Sequence, residues 1–185
     1  MRMRIIIIII GIVFVLYAIV LLFVLSGAFA VFMPNPPEPE IKYGEFPFVI
    51  TYEINGEIKT IEDVIVCKYD GIESLGTAGK YRKWSASLKS GKKRVVLLDN
   101  SDDNLHFQIT TNVGLDIPGY YMGDSRFNSK EDYQRMLSDD RYLGYIQWKN
   151  GKEFSNTITR EDAYEEFGIR VISFEPSDPI ENTFE

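Results

Sequence analysis

From Ile5 to Phe32 the chain reads IIIIIIGIVFVLYAIVLLFVLSGAFAVF, with no charge anywhere in the run. That run limits the surroundings in which this chain is stable more than any other feature does. A helix rises about 1.5 Å per residue and the hydrocarbon core of a bilayer is roughly 30 Å thick, so the segment is long enough to span once. Inside lipid the helix satisfies its own backbone, and no ionised group opposes insertion. Arg2 and Arg4 are the only basic residues before Lys42. The positive-inside tendency then keeps residues 1–4 in the cytoplasm and sends the rest across, as a single-pass cell-membrane protein with its C-terminal domain outside. Ala28-Phe29-Ala30 imitates a signal-peptidase site, whose cleavage after Ala30 would release the chain. The apolar stretch before it is well beyond the roughly 7 to 15 residues of a signal-peptide core, which favours an uncleaved anchor.

The remaining sequence divides into a proline-rich linker, residues 33–40, and an extracytoplasmic domain, residues 41–185. The linker holds four prolines between Pro34 and Pro39 and predicts an extended, polyproline-like spacer. The domain has the length of one compact unit able to bury about two-thirds of its unfolded surface. The chain carries a formal charge of −7, and removing the +2 of Arg2 and Arg4 leaves −9 beyond the membrane. Acidity of that size argues against nucleic acid as a partner. Cys67 is the sole cysteine, so no intramolecular disulfide staples the domain. It alternates with Ile65 and Tyr69 and reads as a buried small hydrophobe. His106, the sole histidine, alternates with Leu105, Phe107 and Ile109 and should point off the core.

Alternation of Phe46, Phe48, Ile50, Tyr52 and Ile54 predicts a strand, and Asn55-Gly56 a tight hairpin returning through Glu57 to Tyr69, with a kink near Ile61-Glu62-Asp63. A second hairpin is expected from Arg94–Leu98 and Leu105–Thr111 around the polar stretch Asp99–Asn104. A third is expected from Tyr142–Lys149, Asn150-Gly151 and Lys152–Phe154. Ser129-x-x-Asp132 and Thr159-x-x-Asp162 have the form of helix caps. They predict two short helices with inner faces Tyr133, Met136, Leu137 and Ala163, Tyr164, Phe167, the second closing at Gly168. A last strand runs from Ile169 to Phe174. The expected fold is mainly β: a transmembrane helix, then an antiparallel β-sandwich or open barrel carrying two short helices.

Lys80 to Arg94, KYRKWSASLKSGKKR, holds seven basic residues and no acid inside an acidic domain. Lys80, Tyr81, Arg82, Lys83, Trp84, Lys92, Lys93 and Arg94 are therefore the candidate ligand or partner surface, with the tyrosine and tryptophan offering flat apolar contact. The alternative is a lysine-decorated strand edge that blocks edge-to-edge pairing. Ser90-Gly91-Lys92-Lys93 matches Ser-x-x-Lys, but no Lys-Thr-Gly follows and the domain is too small for that fold. Asp99, Ser101 and Asp103 imitate the start of a calcium loop, yet Asn104 and Thr110 stand where it needs glycine and a bidentate glutamate. Pro118–Asp124 sets two tyrosines and a methionine between glycines, either as a ligand platform or as a cover over a sheet end. No catalytic residue, metal site or cofactor is expected.

Tyr52-Glu53-Ile54-Asn55-Gly56, Gly79-Lys80-Tyr81-Arg82-Lys83-Trp84, Tyr120-Tyr121-Met122-Gly123-Asp124 and Glu175-Pro176-Ser177 together resemble single-pass, membrane-anchored extracytoplasmic proteins of Firmicutes. The resemblance implies a bacterial cell-surface location and brings no activity or site residues with it. The functional expectation is a binding or accessory domain tethered by one helix. Its partner would be an anionic envelope polymer, a lipid headgroup or a protein. The alternatives are a small cell-envelope hydrolase using carboxylates, or an accessory subunit of a larger membrane complex that packs Gly11, Ala18, Gly27 and Ala28 against another helix.

Overall fold

The structure is a computed structural model that describes residues 2–25, 33–74, 79–102, 105–124 and 142–184. Helix α1 is Arg2–Leu25. Its segment Ile5–Phe23 is long and apolar enough to cross a membrane, and none of it is buried within the protein. Residues 26–32, including Ala28 and Ala30, lie outside the described residues, as does the helix expected after Ser129. Two compact units divide the chain: Met1–Glu38 with Asp70–Lys83, and Pro39–Tyr69 with Trp84–Phe184.

Among the described residues, β1 (Tyr43–Ile54), β2 (Glu57–Ser74), β3 (Lys80–Leu88), β4 (Val95–Asp102), β5 (Leu105–Thr111), β6 (Tyr142–Lys149), β7 (Lys152–Thr159) and β8 (Ile169–Pro176) form two antiparallel sheets. Their strand orders are β3-β2-β1-β8 and β4-β5-β6-β7. Helix α2 (Pro118–Tyr121) lies in the connection after β5, and α3 (Arg160–Phe167) joins β7 to β8. The mainly β architecture with short helices is the one the alternation pattern predicts.

Period-two burial explains β1: Phe46, Phe48, Ile50, Tyr52 and Ile54 are buried while their neighbours are not. Each such side chain contributes about 1.5–3 kcal/mol by leaving water. Asn55 and Gly56 take positive φ, 51° and 82°, as the two-residue turn requires. The pairing of β1 with β2 then runs from Ile54↔Glu57 to Tyr43↔Lys68 without a shift, so no bulge marks the expected kink at Ile61–Asp63. Asp63 instead turns its carboxylate to the amides of Val64 and Ser90, leaving the ladder intact. Asn150 and Gly151 repeat the turn at 53° and 74°.

The second hairpin differs from expectation. Asp99 to Asp102 belong to β4 and pair with Gln108 to Leu105. Cross-strand partners such as Gln108, which donates to Asp99 at 2.8 Å, hold this polar stretch extended, so Asp99 and Ser101 are ladder residues and not a cation loop. The Pro118–Asp124 segment also resolves: Tyr120, Tyr121 and Met122 are buried. Tyr121 donates to the Val113 carbonyl at 3.0 Å and packs its ring 4.9 Å from Phe46. The tyrosines cover the core and form no platform.

Thr159 caps α3, its hydroxyl accepting from the Asp162 amide at 3.0 Å, and Gly168 ends it at φ 64°. Ala163 is buried and Phe167 packs 5.1 Å from Phe107, but Tyr164 is exposed. A step of one residue turns it about 100° off the Ala163–Phe167 line. The Arg170 guanidinium covers the Tyr164 ring at 5.9 Å.

Cys67 is fully buried among core residues of both sheets. Burial pushes its thiol from an ordinary 9.0 up to about 12. Stability that depends on the neutral thiol is therefore complete below the unfolded value and is lost as pH rises toward about 12. At neutral pH an impermeant thiol reagent should label Cys67 only as fast as the domain opens, and denaturant should release it. Labelling of native protein at the rate of a free peptide thiol would contradict this burial.

Candidate functional site

The basic stretch divides between the two compact units. In the first, Lys80, Arg82 and Lys83 face protein partners. Lys80 donates its Nζ to Asn35 at 2.9 Å, and Arg82 donates Nη1 to the Pro37 carbonyl at 3.1 Å. Lys83 pairs with Asp70 at 3.1 Å, and that hydrogen bond together with the nearby negative charge raises the lysine above its usual range. The Lys80 and Arg82 side chains of β3 tie down the proline-rich segment at Asn35 and Pro37. Tyr81 is half-buried in the same unit.

In the second unit, Trp84 packs against the core, edge-on to Tyr69 at 5.4 Å, and donates its indole Nε1 to Asp124 at 2.7 Å. These contacts use the indole to fix the loop after α2. Lys92, Lys93 and Arg94 sit in the connection between β3 and β4, and grooves open beside it. One, about 410 Å³, is lined by residues including Asp63, Ser90, Lys92 and Arg94. Desolvation pushes Asp63 upward, but hydrogen bonds from Ser90 and the Val64 amide, with Lys92 nearby, outweigh it and hold the carboxyl below its usual range. An ionised Asp63 with Ser90 donating to it makes a brace for the turn. It does not make a base for a nucleophile, because it holds its charge by accepting bonds already made.

The other groove, about 580 Å³, lies on one face of the second sheet. Register assembles that face. Ser101, His106, Trp148 and Glu153 are successive cross-strand partners over β4, β5, β6 and β7. Asp99, Gln108, Ile146 and Ser155 form the adjacent row, and Val96, Thr110, Gly144 and Thr157 the next. Cross-strand neighbours share a face, so the rows make one surface. Gly144 leaves room in its row for Thr110, since a Cβ there would lie 2.3 Å from the Thr110 hydroxyl oxygen and force that side chain to turn.

Arg94 reaches from the entrance of β4 to Glu153 on β7, the opposite edge strand, donating Nη2 at 2.7 Å. Its Nη1 is buried without a hydrogen-bond partner. A buried guanidinium N–H left unmade costs about 1–3 kcal/mol. His106 stacks on Trp148 with ring centroids 4.2 Å apart and 16° between planes, and its Nε2 is 3.5 Å from Asp99. Asp99 accepts from Gln108 at 2.8 Å and from Ser101 at 3.1 Å. The groove lining therefore mixes Lys92, Lys93 and the Arg94–Glu153 pair with the Asp99 carboxylate, the Gln108 amide and the Trp148 ring, on which His106 stacks.

The sequence marked the three cations of this groove but did not join them to Asp99, Gln108, Trp148 and Glu153 of its lining or to His106, which stacks on Trp148. Only strand register brings those five together, and no spacing along the chain reports it. Among the described residues no group of three or more histidine, cysteine, aspartate or glutamate side chains is arranged to hold a metal. No family model, curated protein or solved structure matches the chain.

Proposed function

We propose that this is a membrane-anchored extracytoplasmic binding protein of a bacterial cell envelope, whose β domain takes an anionic envelope polymer along the groove beside Lys92, Lys93 and Arg94. The observation that carries the reading is the presence of Lys92, Lys93 and Arg94 together in the lining of a 580 Å³ groove in a chain of net charge −7. The guanidinium of Arg94 adds a buried N–H that lacks an acceptor, which an incoming oxyanion can supply if Arg94 turns outward. In this reading Lys80 and Arg82 serve the linker and Trp84 the core. The anchor is α1 with Arg2 and Arg4 on the cytoplasmic side, consistent with the likeness to membrane-anchored proteins of Firmicutes.

Two measurements test it. Protease added to intact protoplasts should digest the β domain, and full protection would place the domain on the other side. The full chain in neutral detergent micelles should bind an anionic polymer. Affinity should fall as salt shortens the Debye length from about 30 Å at 0.01 M to about 8 Å at physiological strength. Lys92→Ala with Lys93→Ala should weaken binding by about tenfold, the equivalent of roughly 1.4 kcal/mol. Absence of binding at low salt would remove the anion-binding reading.

A further inference from the structure

We infer that the groove on the second sheet is a subsite for an acidic saccharide, a sugar ring bearing a carboxylate or phosphate, with Trp148 as the surface on which the ring lies. This rests on the anion-binding reading and narrows it. A simple anion accounts for only part of this lining: Lys92 and Lys93 attract it, Asp99 repels it, and Arg94 and Glu153 are paired with each other. A sugar carrying one acid group uses both kinds of group. Its acid meets the cations, and its hydroxyls meet planar side chains that still have capacity.

That capacity is countable. Asp99 Oδ2 accepts only from Gln108 among the contacts described above and has a further lone pair for a hydroxyl proton, whereas Oδ1 already faces Ser101 and His106. Gln108, which spends an amide N–H on Asp99, retains its carbonyl oxygen as an acceptor in the same groove lining. Trp148 supplies what a phosphate has no use for, a flat apolar surface for the C–H face of a pyranose. His106 stacked on Trp148 fixes the indole plane, so little side-chain freedom is lost when a ring settles against it. An anionic lipid headgroup or inorganic polyphosphate would engage the lysines and leave the indole, Asp99 and Gln108 unused.

The experiment uses the full chain in neutral detergent micelles, calorimetric titration and indole fluorescence, with three probes: a uronic-acid trisaccharide, a neutral glucose trisaccharide and inorganic triphosphate. The uronic-acid trisaccharide should bind at least about tenfold more tightly than either other probe and alone should shift the fluorescence of Trp148, read in a Trp84→Phe background. Trp148→Leu should lower its affinity about tenfold while leaving triphosphate binding unchanged. Lys92→Ala with Lys93→Ala should bring it down to the level of the neutral sugar. Triphosphate binding as tight as the trisaccharide, with no fluorescence shift, overturns the saccharide inference and leaves the anion reading standing. Failure of all three probes at low salt overturns both.

Discussion

Tyr121→Ala should destabilise the β domain by about 3–5 kcal/mol, the largest loss expected from any single truncation of its ring-lined core. Tyr121 is fully buried, its ring lies between Phe46 at 4.9 Å and Tyr120 at 5.7 Å, and its hydroxyl donates to the Val113 carbonyl. Its own carbonyl accepts from the Ile180 amide at 3.0 Å, so the residue also secures the segment after β8. Removing the ring forfeits its transfer energy and leaves a cavity that the two sheets close only partly. Domains of this size have about 5–15 kcal/mol in total, so a loss of this size is a large fraction of the domain's stability. Thermal unfolding followed by near-ultraviolet circular dichroism should show a midpoint lower by roughly 10–20 °C. Tyr121→Phe isolates the hydrogen bond. It should cost only about 1–2 kcal/mol, mostly from the Val113 carbonyl left unpaired. A Tyr121→Ala midpoint within about 2 °C of the parent would show that this ring is not a core element.

Placing arginine at Ile8, Ile12, Leu16 and Val20 should abolish membrane retention of the full chain. Each apolar residue in a central position favours insertion by about 0.3–0.6 kcal/mol, so the roughly twenty in α1 together supply about 6–12 kcal/mol. A central arginine opposes insertion by about 2.5–3.5 kcal/mol, somewhat less toward the ends, so four of them offset the whole favourable sum. The isoleucines from Ile5 to Ile10 are half or more exposed in the protein, so no internal packing replaces the lipid. The four-arginine chain should leave the alkaline-washed membrane pellet while the parent remains in it. A parent chain found wholly in the soluble fraction, with an N-terminus at Val31, would show cleavage in place of anchoring.

Strand β1 was legible because Phe46 to Ile54 alternate without interruption and Asn55-Gly56 tolerates the positive φ that a two-residue hairpin turn demands and most residues avoid. The cap at Thr159 and the stop at Gly168 were legible for the same reason: both are local, and their chemistry acts within four residues. The extension of β4 through Asp99, Asn100 and Ser101 was not legible. Asp and Asn are poor strand formers alone, and here cross-strand partners hold them. Tyr164 shows the limit within one helix, since three apolar side chains were readable but the angle of the inner stripe was set by contact with Phe107 and Tyr145.

The basic stretch was visible as composition but not as geometry. Seven cations in fifteen residues announce a charge. They do not say that Lys80 and Arg82 reach Asn35 and Pro37 while Arg94 reaches Glu153. The groove lining beside Lys92 draws on residues as far apart as Asp99 and Glu153, whose meeting depends on pairings across four strands. By itself the sequence determined a helix suited to lipid, a mainly β domain and the turns within it, because transfer energy and short-range backbone preference act on neighbours in the chain. Only the tertiary structure decided which cations have a protein partner and that Trp148, His106, Gln108 and Asp99 share one face, because register is fixed by the packing of whole sheets.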